Sequence, residues 1–496
     1  MTIKIILLII FFGTMFVVGM YTRKHAKNVN DFVLGGRNVG PWLTAFAYGT
    51  SYFSAVVFVG YAGQFGYKYG MSATWIGIGN AFLGSLLAWM VLGKRTCVMS
   101  KHLSVTTMPD FFGKRYDSPS LRITASAISF IFLIPYTASV YNGLSRLFGM
   151  AFDIPYTVCV VVMATLTGAY VLMGGYMATA INDFIQGLIM LGGIIAVIAA
   201  VLSGKGGFFS AVQELAKIES DIPATLGQTG TFTSLFGPDP WNLLGVVILT
   251  SLGTWGLPQM VHKFYAIKDE KSIQSGTIIS TVFAIVVSGG CYFLGGFARL
   301  FDTPAIHNGD GSVIYDAIIP SMLSSLPDLL VGIVIVLVLS ASMSTLSSLV
   351  LTSSSTLTLD FLKDNIIKNM NDRKQLLWMR ILLVFFIAIS IVLAINPPTF
   401  IAQLMGISWG ALAGSFLAPF LYGLYWKGVT KAAVWVSFAA GVGITVSNMF
   451  FHYIASPINA GAIAMVAGLV LVPLVSFFTP KNSKEQLERI FACLKK

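Results

Sequence analysis

The chain has 496 residues, of which 56% are hydrophobic and only 10% are charged. Soluble domains carry about 25% charged residues, so this composition excludes an ordinary soluble protein, a disordered chain and a coiled coil. The net charge of +11 does not indicate a nucleic-acid partner, because the cations recur between apolar runs along the whole chain. The composition predicts an all-α polytopic protein of the cell membrane, with the lipid bilayer as its surroundings.

Apolar runs long enough to cross a bilayer follow one another along the chain. A membrane helix needs about 20 apolar residues, and this criterion predicts thirteen spans, with the N-terminus outside and the C-terminus inside. The spans are 3–21, 40–67, 72–93, 121–146, 154–174, 180–203, 239–262, 273–300, 326–359, 376–396, 399–424, 430–453 and 459–478. With this topology most Lys and Arg residues, Lys263 among them, fall in loops on the cytoplasmic side.

Two of these spans contain residues that interrupt a membrane helix. They are Gly49, Thr50, Ser51 and Ser54 in span 40–67, and Thr250, Ser251, Gly253, Thr254, Gly256 and Pro258 in span 239–262. Small residues also serve ordinary helix packing, but an interrupted helix is stable in a bilayer only around a buried site or an aqueous cavity. Because the two spans are five apart and run in opposite directions, they predict an inverted-repeat transporter. A channel is disfavoured, since we find no repeated filter loop.

The span 326–359 is unusually rich in hydroxyl side chains. Ser344 and Ser348 are four residues apart and Thr345 and Ser348 are three apart, so their hydroxyls share one helix face. Serine and threonine also bond back to their own helix, but the density here exceeds that need. Neutral oxygens opposite the freed carbonyls of a broken helix suit a weakly held monovalent cation, so the pattern predicts a sodium site.

Asp183 is a carboxylate inside the apolar segment TAINDFIQGLIML. A buried ionised carboxylate is costly and needs a partner or a cation. Two interpretations remain open at this point. Asp183 is either a cation ligand or a residue at a helix N-terminus, where the helix dipole stabilises its charge.

Four segments together resemble the sodium/solute symporter family, and among its branches they look most like the bacterial sodium/proline-permease branch. The segments are FVLGGRNVGPW (32–42), VTTMPDFFGKRY (105–116), MGGYMATAINDFIQG (173–187) and ASMSTLSSLVLTSSS (341–355). The resemblance covers nearly the whole chain and implies the leucine-transporter-type 5+5 inverted-repeat fold. We therefore expect one transporter domain over 1–496. Its expected parts are an extra first helix 3–21, inverted repeats 40–203 and 239–424, two peripheral helices in 430–478 and a short cytoplasmic tail 479–496.

The resemblance also implies site residues, with Na⁺ as the coupling ion, one or two per cycle. The main sodium site would use the carbonyls of Thr50, Phe53 and Ala341 and the hydroxyls of Ser344 and Thr345. A second sodium ion, which some family members bind, would have as ligands Asp183, Ser347 and Ser348. By position, the substrate cavity should include Ser54, Asn80, Trp255 and Gln403.

The expected function is secondary active symport, in which sodium drives import of a small organic solute by alternating access. A small amino acid such as proline, or a monocarboxylate, is the expected solute. A sugar or a pantothenate-type vitamin is the alternative. The third-helix arginine of the sialic-acid branch falls near Leu133, so sialic acid is not expected. An aspartate of the proline branch is replaced in the first break by Tyr52.

Two other classes of function are disfavoured by the sequence. An enzyme is not expected, because the chain has no HExxH, GxSxG, P-loop or paired-cysteine motif. A membrane sensor without transport is the alternative from a different class. The chain ends within 20 residues of the last predicted span, which leaves a sensor no large output domain. No obligate protein partner is evident.

Overall fold

The computed structural model describes residues 2–23, 27–152, 154–324, 326–363 and 365–494, which fold into helices joined by loops. Among these described residues, eleven helices are long and apolar enough to cross a membrane. They are Ile3–Thr22, Val56–His102, Pro119–Gly149, Tyr156–Ser203, Pro240–Ala266, Glu270–Gly295, Asp328–Leu362, Asp372–Ile395, Ile401–Tyr425, Lys431–Phe451 and Pro457–Phe478. The count of thirteen spans and their orientation stay predictions, as do the boundaries of the inverted repeats.

The predicted spans 154–174 and 180–203 are joined without the loop that the sequence suggested between them. Except for residues 154 and 155, both lie within the helical stretch Tyr156–Ser203, and the chain passes from one to the other at Gly175, where φ is +54° and ψ is −147°. A side chain at this position would also crowd Phe32, because a Cβ would lie 2.7 Å from the Phe32 carbonyl oxygen. Only glycine meets both conditions without strain.

The first broken helix consists of Pro41–Tyr52 and of a second half that begins at Val56 and ends at Tyr69. Between the halves Phe53 is extended, with φ of −105° and ψ of 109°. The Ser54 hydroxyl oxygen then accepts a hydrogen bond from the Val56 N–H at 3.2 Å, as a capping serine does at the start of a helix. The interruption predicted for span 40–67 is therefore confirmed.

The second broken helix consists of Pro240–Leu252, a single turn Gly253–Trp255 and Pro258–Ala266. Pro258 has no N–H to donate and begins the last segment, where a missing donor costs nothing. The Val39 N–H donates to the Ala266 carbonyl at 3.2 Å, and the Lys268 N–H donates to the Val39 carbonyl at 3.0 Å. These bonds hold the start of the first broken helix against the end of the second.

The serine-rich helix, Asp328–Thr356, forms the centre of the protein. Every residue from Leu337 to Thr356 is buried, although many of them are serine or threonine. The helix packs against Tyr156–Ser203, Pro119–Phe152 and the first half of the first broken helix. Because its hydroxyls are enclosed by protein and not by lipid, they are available to a buried site.

The tail predicted for 479–496 contains a short helix, Lys484–Phe491, which docks on the protein. Ile490 and Phe491 are buried, and the Phe491 ring lies 4.9 Å from the Arg115 guanidinium. An imidazole nitrogen of His102 lies 2.7 Å from the Arg489 carbonyl oxygen. The apolar side of this helix is therefore covered by the rest of the protein.

Gly66 allows the first broken helix to touch the helix Glu270–Gly295. A Cβ on Gly66 would overlap the carbonyl oxygen of Gly295, so the two helices would have to separate. We expect Gly66→Ala to lower the free energy of unfolding by about 1–3 kcal/mol, the usual cost of overpacking. The control is Gly192→Ala, where an added Cβ meets no atom within 4 Å. Equal melting temperatures for the two purified variants would contradict this close contact.

Candidate functional site

The serine-rich helix faces the break of the first broken helix through two hydroxyls. The Ser344 hydroxyl lies 2.9 Å from the Thr50 carbonyl oxygen, and the Thr345 hydroxyl lies 3.3 Å from it. Both hydroxyls also lie 3.1 Å from the Ala341 carbonyl oxygen, one turn earlier on their own helix. The structure thus brings together four of the five residues predicted for the main sodium site.

The carbonyls at this break are available because the helix stops there. The last four carbonyls of a helix have no partner within it. The Gly49 carbonyl accepts a hydrogen bond from the Phe53 N–H at 3.2 Å. The Thr50 and Ser51 carbonyls instead face the serine-rich helix, and the Ser51 carbonyl oxygen lies 3.3 Å from the Thr345 hydroxyl. Ser51 was not predicted as a ligand. Among the described residues, no hydrogen bond joins the Phe53 carbonyl to the Ser344 or Thr345 hydroxyl. The role of Phe53 as a sodium ligand stays a prediction.

This group of oxygens fits a hard monovalent cation. Its oxygens are all neutral carbonyls or hydroxyls, and all five residues that contribute them are buried: Thr50, Ser51, Ala341, Ser344 and Thr345. A hydroxyl that donates to a carbonyl can rotate and present its lone pairs to an ion instead. The same oxygens can therefore hold the two helices together by hydrogen bonds or by shared coordination of a cation.

Asp183 lies eight residues after the kink at Gly175, about two turns into the second half of Tyr156–Ser203, and its side chain is fully buried. The interpretation as a residue at a helix N-terminus is wrong, because the effect of the helix dipole is confined to the first turn. Its carboxylate oxygen lies 3.8 Å from the ammonium of Lys263, whose side chain is only 2% exposed. Neither carboxylate oxygen accepts a hydrogen bond of normal length from the described residues. The charge of Asp183 is balanced by a buried lysine.

Lys263 also contacts Ser348, one of the other two residues predicted for the second sodium site. Its ammonium donates to the Ser348 hydroxyl at 2.9 Å, and Ser348 shares a further hydrogen bond of 2.7 Å with the Ser51 hydroxyl. The Ser347 hydroxyl instead donates to the Ser344 carbonyl at 2.9 Å. Asp183 and Ser348 are thus linked through an ammonium that the sequence analysis did not include.

The placement of Lys263 in a cytoplasmic loop is wrong. The predicted span ended at residue 262, whereas the helix continues from Pro258 to Ala266 and buries Lys263. The apolar residues 264–267, with sequence FYAI, follow directly and are themselves buried. That apolar continuation was the available signal that the membrane segment extends beyond the lysine.

Ser54, predicted for the substrate cavity, lies among buried aromatic side chains. The Tyr136 hydroxyl is close to Ser54 and Trp409, yet it forms no hydrogen bond of good geometry with a described residue. The Trp409 ring lies 5.8 Å from the Tyr136 ring and 6.0 Å from the Tyr52 ring, measured between centroids. Tyr136 and Trp409 were missed by the sequence analysis, because they come from two helices that are distant in sequence.

The other three predicted cavity residues lie in two different places. The Asn80 side chain is bonded to the hydroxyls of Ser251 at 3.2 Å and Ser288 at 3.1 Å. The Trp255 indole donates to the Leu83 carbonyl at 2.9 Å, so both residues tie the second broken helix to the helix that contains Asn80. The Gln403 amide oxygen accepts from the Thr399 hydroxyl. Their roles in substrate binding stay predictions.

A broken helix whose carbonyls face hydroxyls on a buried helix defines a cation-coupled secondary transporter. The comparison with known families agrees with this class, since residues 32–441 match the model of the sodium:solute symporter family. The chain belongs to the sodium:solute symporter family. It is a multi-pass membrane protein of a family of transporters, with sodium as the coupling ion of solute symport.

Relatives and solved structures are similar to this chain over nearly its full length. Sodium/proline symporters of Staphylococcus aureus, including strains JH9 and NCTC 8325, are 29% identical over 97% of this chain and 93% of theirs. A Na⁺-coupled sialic acid symporter in a substrate-bound outward-open state has a TM-score of 0.78 at 16% identity, covering 97% of this chain and 98% of that one. A nucleobase-cation-symport-1 family transporter with bromovinylhydantoin bound has a TM-score of 0.55 at 12% identity, covering 92% and 97%. Both are transporters of the leucine-transporter-type fold, the fold class expected from the sequence.

Proposed function

We propose that this chain imports a small amino acid such as proline, or a small monocarboxylate, together with sodium across the cell membrane. One observation carries the proposal: the hydroxyls of Ser344 and Thr345 lie 2.9 and 3.3 Å from the Thr50 carbonyl at the first break. The proposal includes thirteen spans, an exterior N-terminus and a cytoplasmic C-terminus.

Sodium would act here as a link between two helices. An ion held by Thr50 on the first broken helix and by Ser344 and Thr345 on the serine-rich helix stabilises only the arrangement in which these oxygens converge. A ligand shifts a conformational equilibrium by its difference in affinity for the two states. Binding of sodium would therefore favour the state that receives the solute, and loss of sodium on the other side would release both.

The expected size and polarity of the solute follow from the surroundings of Ser54. The rings of Tyr52 and Tyr136 both pack against the Trp409 ring beside the break. The Tyr136 hydroxyl and the Trp409 indole N–H are buried donors with no hydrogen-bond partner of good geometry among the described residues. Two such donors suit one carboxylate, whereas a sugar needs several polar partners. The similar Staphylococcus aureus proteins are sodium/proline symporters, which also supports proline.

The proposal is tested by uptake into liposomes that contain the purified protein. Radiolabelled proline, alanine, lactate, glucose and pantothenate are offered with an inward sodium gradient, with an inward proton gradient or with neither. We expect proline, alanine or lactate to accumulate only with the sodium gradient. Accumulation of glucose or pantothenate alone would contradict the solute class. Equal accumulation with a proton gradient would contradict coupling to sodium.

Tyr136→Phe should weaken solute binding without changing the fold. The substitution removes one hydroxyl that has no hydrogen bond of good geometry with the described residues, so the melting temperature should not change. If this hydroxyl donates to the solute carboxylate, the KM for the solute should rise about tenfold or more, as expected for a lost bond to a charged group. The control is Tyr116→Phe, whose hydroxyl donates to the Pro419 carbonyl at 2.7 Å. A KM equal to that of the wild type would remove Tyr136 from the solute site.

A further inference from the structure

A positively charged side chain lies where the predicted second sodium site would bind its ion. The Lys263 ammonium is 3.8 Å from an oxygen of Asp183 and 2.9 Å from the Ser348 hydroxyl. It also lies 5.3 Å from the centre of the Tyr176 ring, a distance at which a cation is attracted by the face of an aromatic ring. Carboxylate, hydroxyl and aromatic ring thus surround one cation that belongs to the chain.

The carboxylate of Asp183 has no other compensation among the described residues. Both of its oxygens are buried and accept no hydrogen bond of normal length. A buried charge persists only with a partner, and here the partner is Lys263. The lysine in turn reaches this position because the helix Pro258–Ala266 buries it almost completely.

A sodium ion at the same place would have to share Asp183 with the ammonium. Two unit positive charges about 4 Å apart in a protein interior repel each other enough to weaken binding about a thousandfold. The main site does not have this problem, because its ligands are neutral oxygens of Thr50, Ala341, Ser344 and Thr345. The two neighbouring positions therefore differ in which cation they can hold.

We propose that Lys263 is the resident cation of the Asp183–Ser348 position and takes the place of a second sodium ion. The protein then binds one sodium ion, at the main site, and Lys263 determines this number. The inference rests on the proposed function for the role of the main site. It predicts that a neutral side chain at position 263 opens a second sodium site, because Asp183 is left without its partner.

The test counts sodium ions on the purified full-length protein, without any need to know the solute. Equilibrium binding of radioactive ²²Na⁺ is measured for the wild type, for Lys263→Met and for the double variant Lys263→Met with Asp183→Asn. We expect one sodium ion per chain in the wild type, two in Lys263→Met and one in the double variant. The control is Lys268→Met, which removes an exposed lysine of the same segment and should keep one ion.

Each other outcome has a definite meaning. Two ions in the wild type, or one ion in a folded Lys263→Met protein, would overturn the inference while leaving sodium coupling intact. If Lys263→Met does not fold, Lys263→Gln keeps a donor for Ser348 and is counted in its place, and the wild-type number alone can still overturn the inference. An absence of bound sodium in the wild type would contradict the proposed function instead. In that case the role of Lys263 is supported if Lys263→Met binds one sodium ion, and it is overturned if that variant binds none.

Discussion

Thr345→Ala is expected to lower the apparent affinity for sodium by about 10- to 100-fold, the range of a lost polar contact to a charged group. The Thr345 hydroxyl lies within 3.3 Å of the Thr50 and Ser51 carbonyls and 3.1 Å from the Ala341 carbonyl, so its loss removes one oxygen from the centre of the group. Alanine adds no bulk and is favourable in a helix. The measurement is the sodium concentration that gives half-maximal initial uptake into liposomes.

A neighbouring serine provides the matched control for this variant. Ser342 is buried on the same helix, but its hydroxyl donates to the Val338 carbonyl at 2.7 Å and not to the first broken helix. Ser342→Ala should therefore keep the sodium dependence of the wild type. If Thr345→Ala and Ser342→Ala require the same sodium concentration, the main site does not include Thr345.

Lys263→Met is expected to destabilise the protein by about 3–5 kcal/mol in sodium-free buffer, because the buried charge of Asp183 loses its partner. The double variant Lys263→Met with Asp183→Asn removes both charges and should recover most of this loss. The two free energies are obtained from unfolding of the purified proteins in choline chloride. Added sodium should stabilise the single variant in particular, since an ion can then replace the ammonium.

A more exposed ion pair gives the comparison for this effect. Lys94 lies 2.8 Å from Glu270, and their side chains are 64% and 53% exposed. Exposed pairs contribute about 0–1 kcal/mol, so Lys94→Met should change stability little. If Lys263→Met were as mild as Lys94→Met, the buried Lys263 ammonium would not compensate the charge of Asp183.

The parts of the site that could be predicted from the sequence depend on local patterns. The hydroxyl face around Ser344 and Thr345 follows from helical spacing, and the break near Thr50 follows from a cluster of small polar residues in an apolar span. Both features are properties of single segments. In the structure the Ser344 and Thr345 hydroxyls lie 2.9 and 3.3 Å from the Thr50 carbonyl oxygen, and their role as sodium ligands stays a prediction.

The parts that could not be predicted depend on where helices cross. Tyr136 and Trp409 lie far apart in sequence, and only packing brings their rings within 5.8 Å of each other. Lys263 was assigned to a loop because charge usually marks the end of a membrane span. That rule fails here because a second buried charge, Asp183, compensates the lysine inside the protein. The carboxylate alone could not reveal its partner, since the two residues belong to different helices.

The most direct test of this account is to locate the bound monovalent cations. A crystal structure of the protein in sodium would be determined again with thallium, whose anomalous scattering marks monovalent cation sites. The account predicts one site, between the Thr50 carbonyl and the hydroxyls of Ser344 and Thr345, with the Lys263 ammonium still beside Asp183. A cation bound between Asp183 and Ser348 in the wild-type protein, with Lys263 displaced, would contradict it.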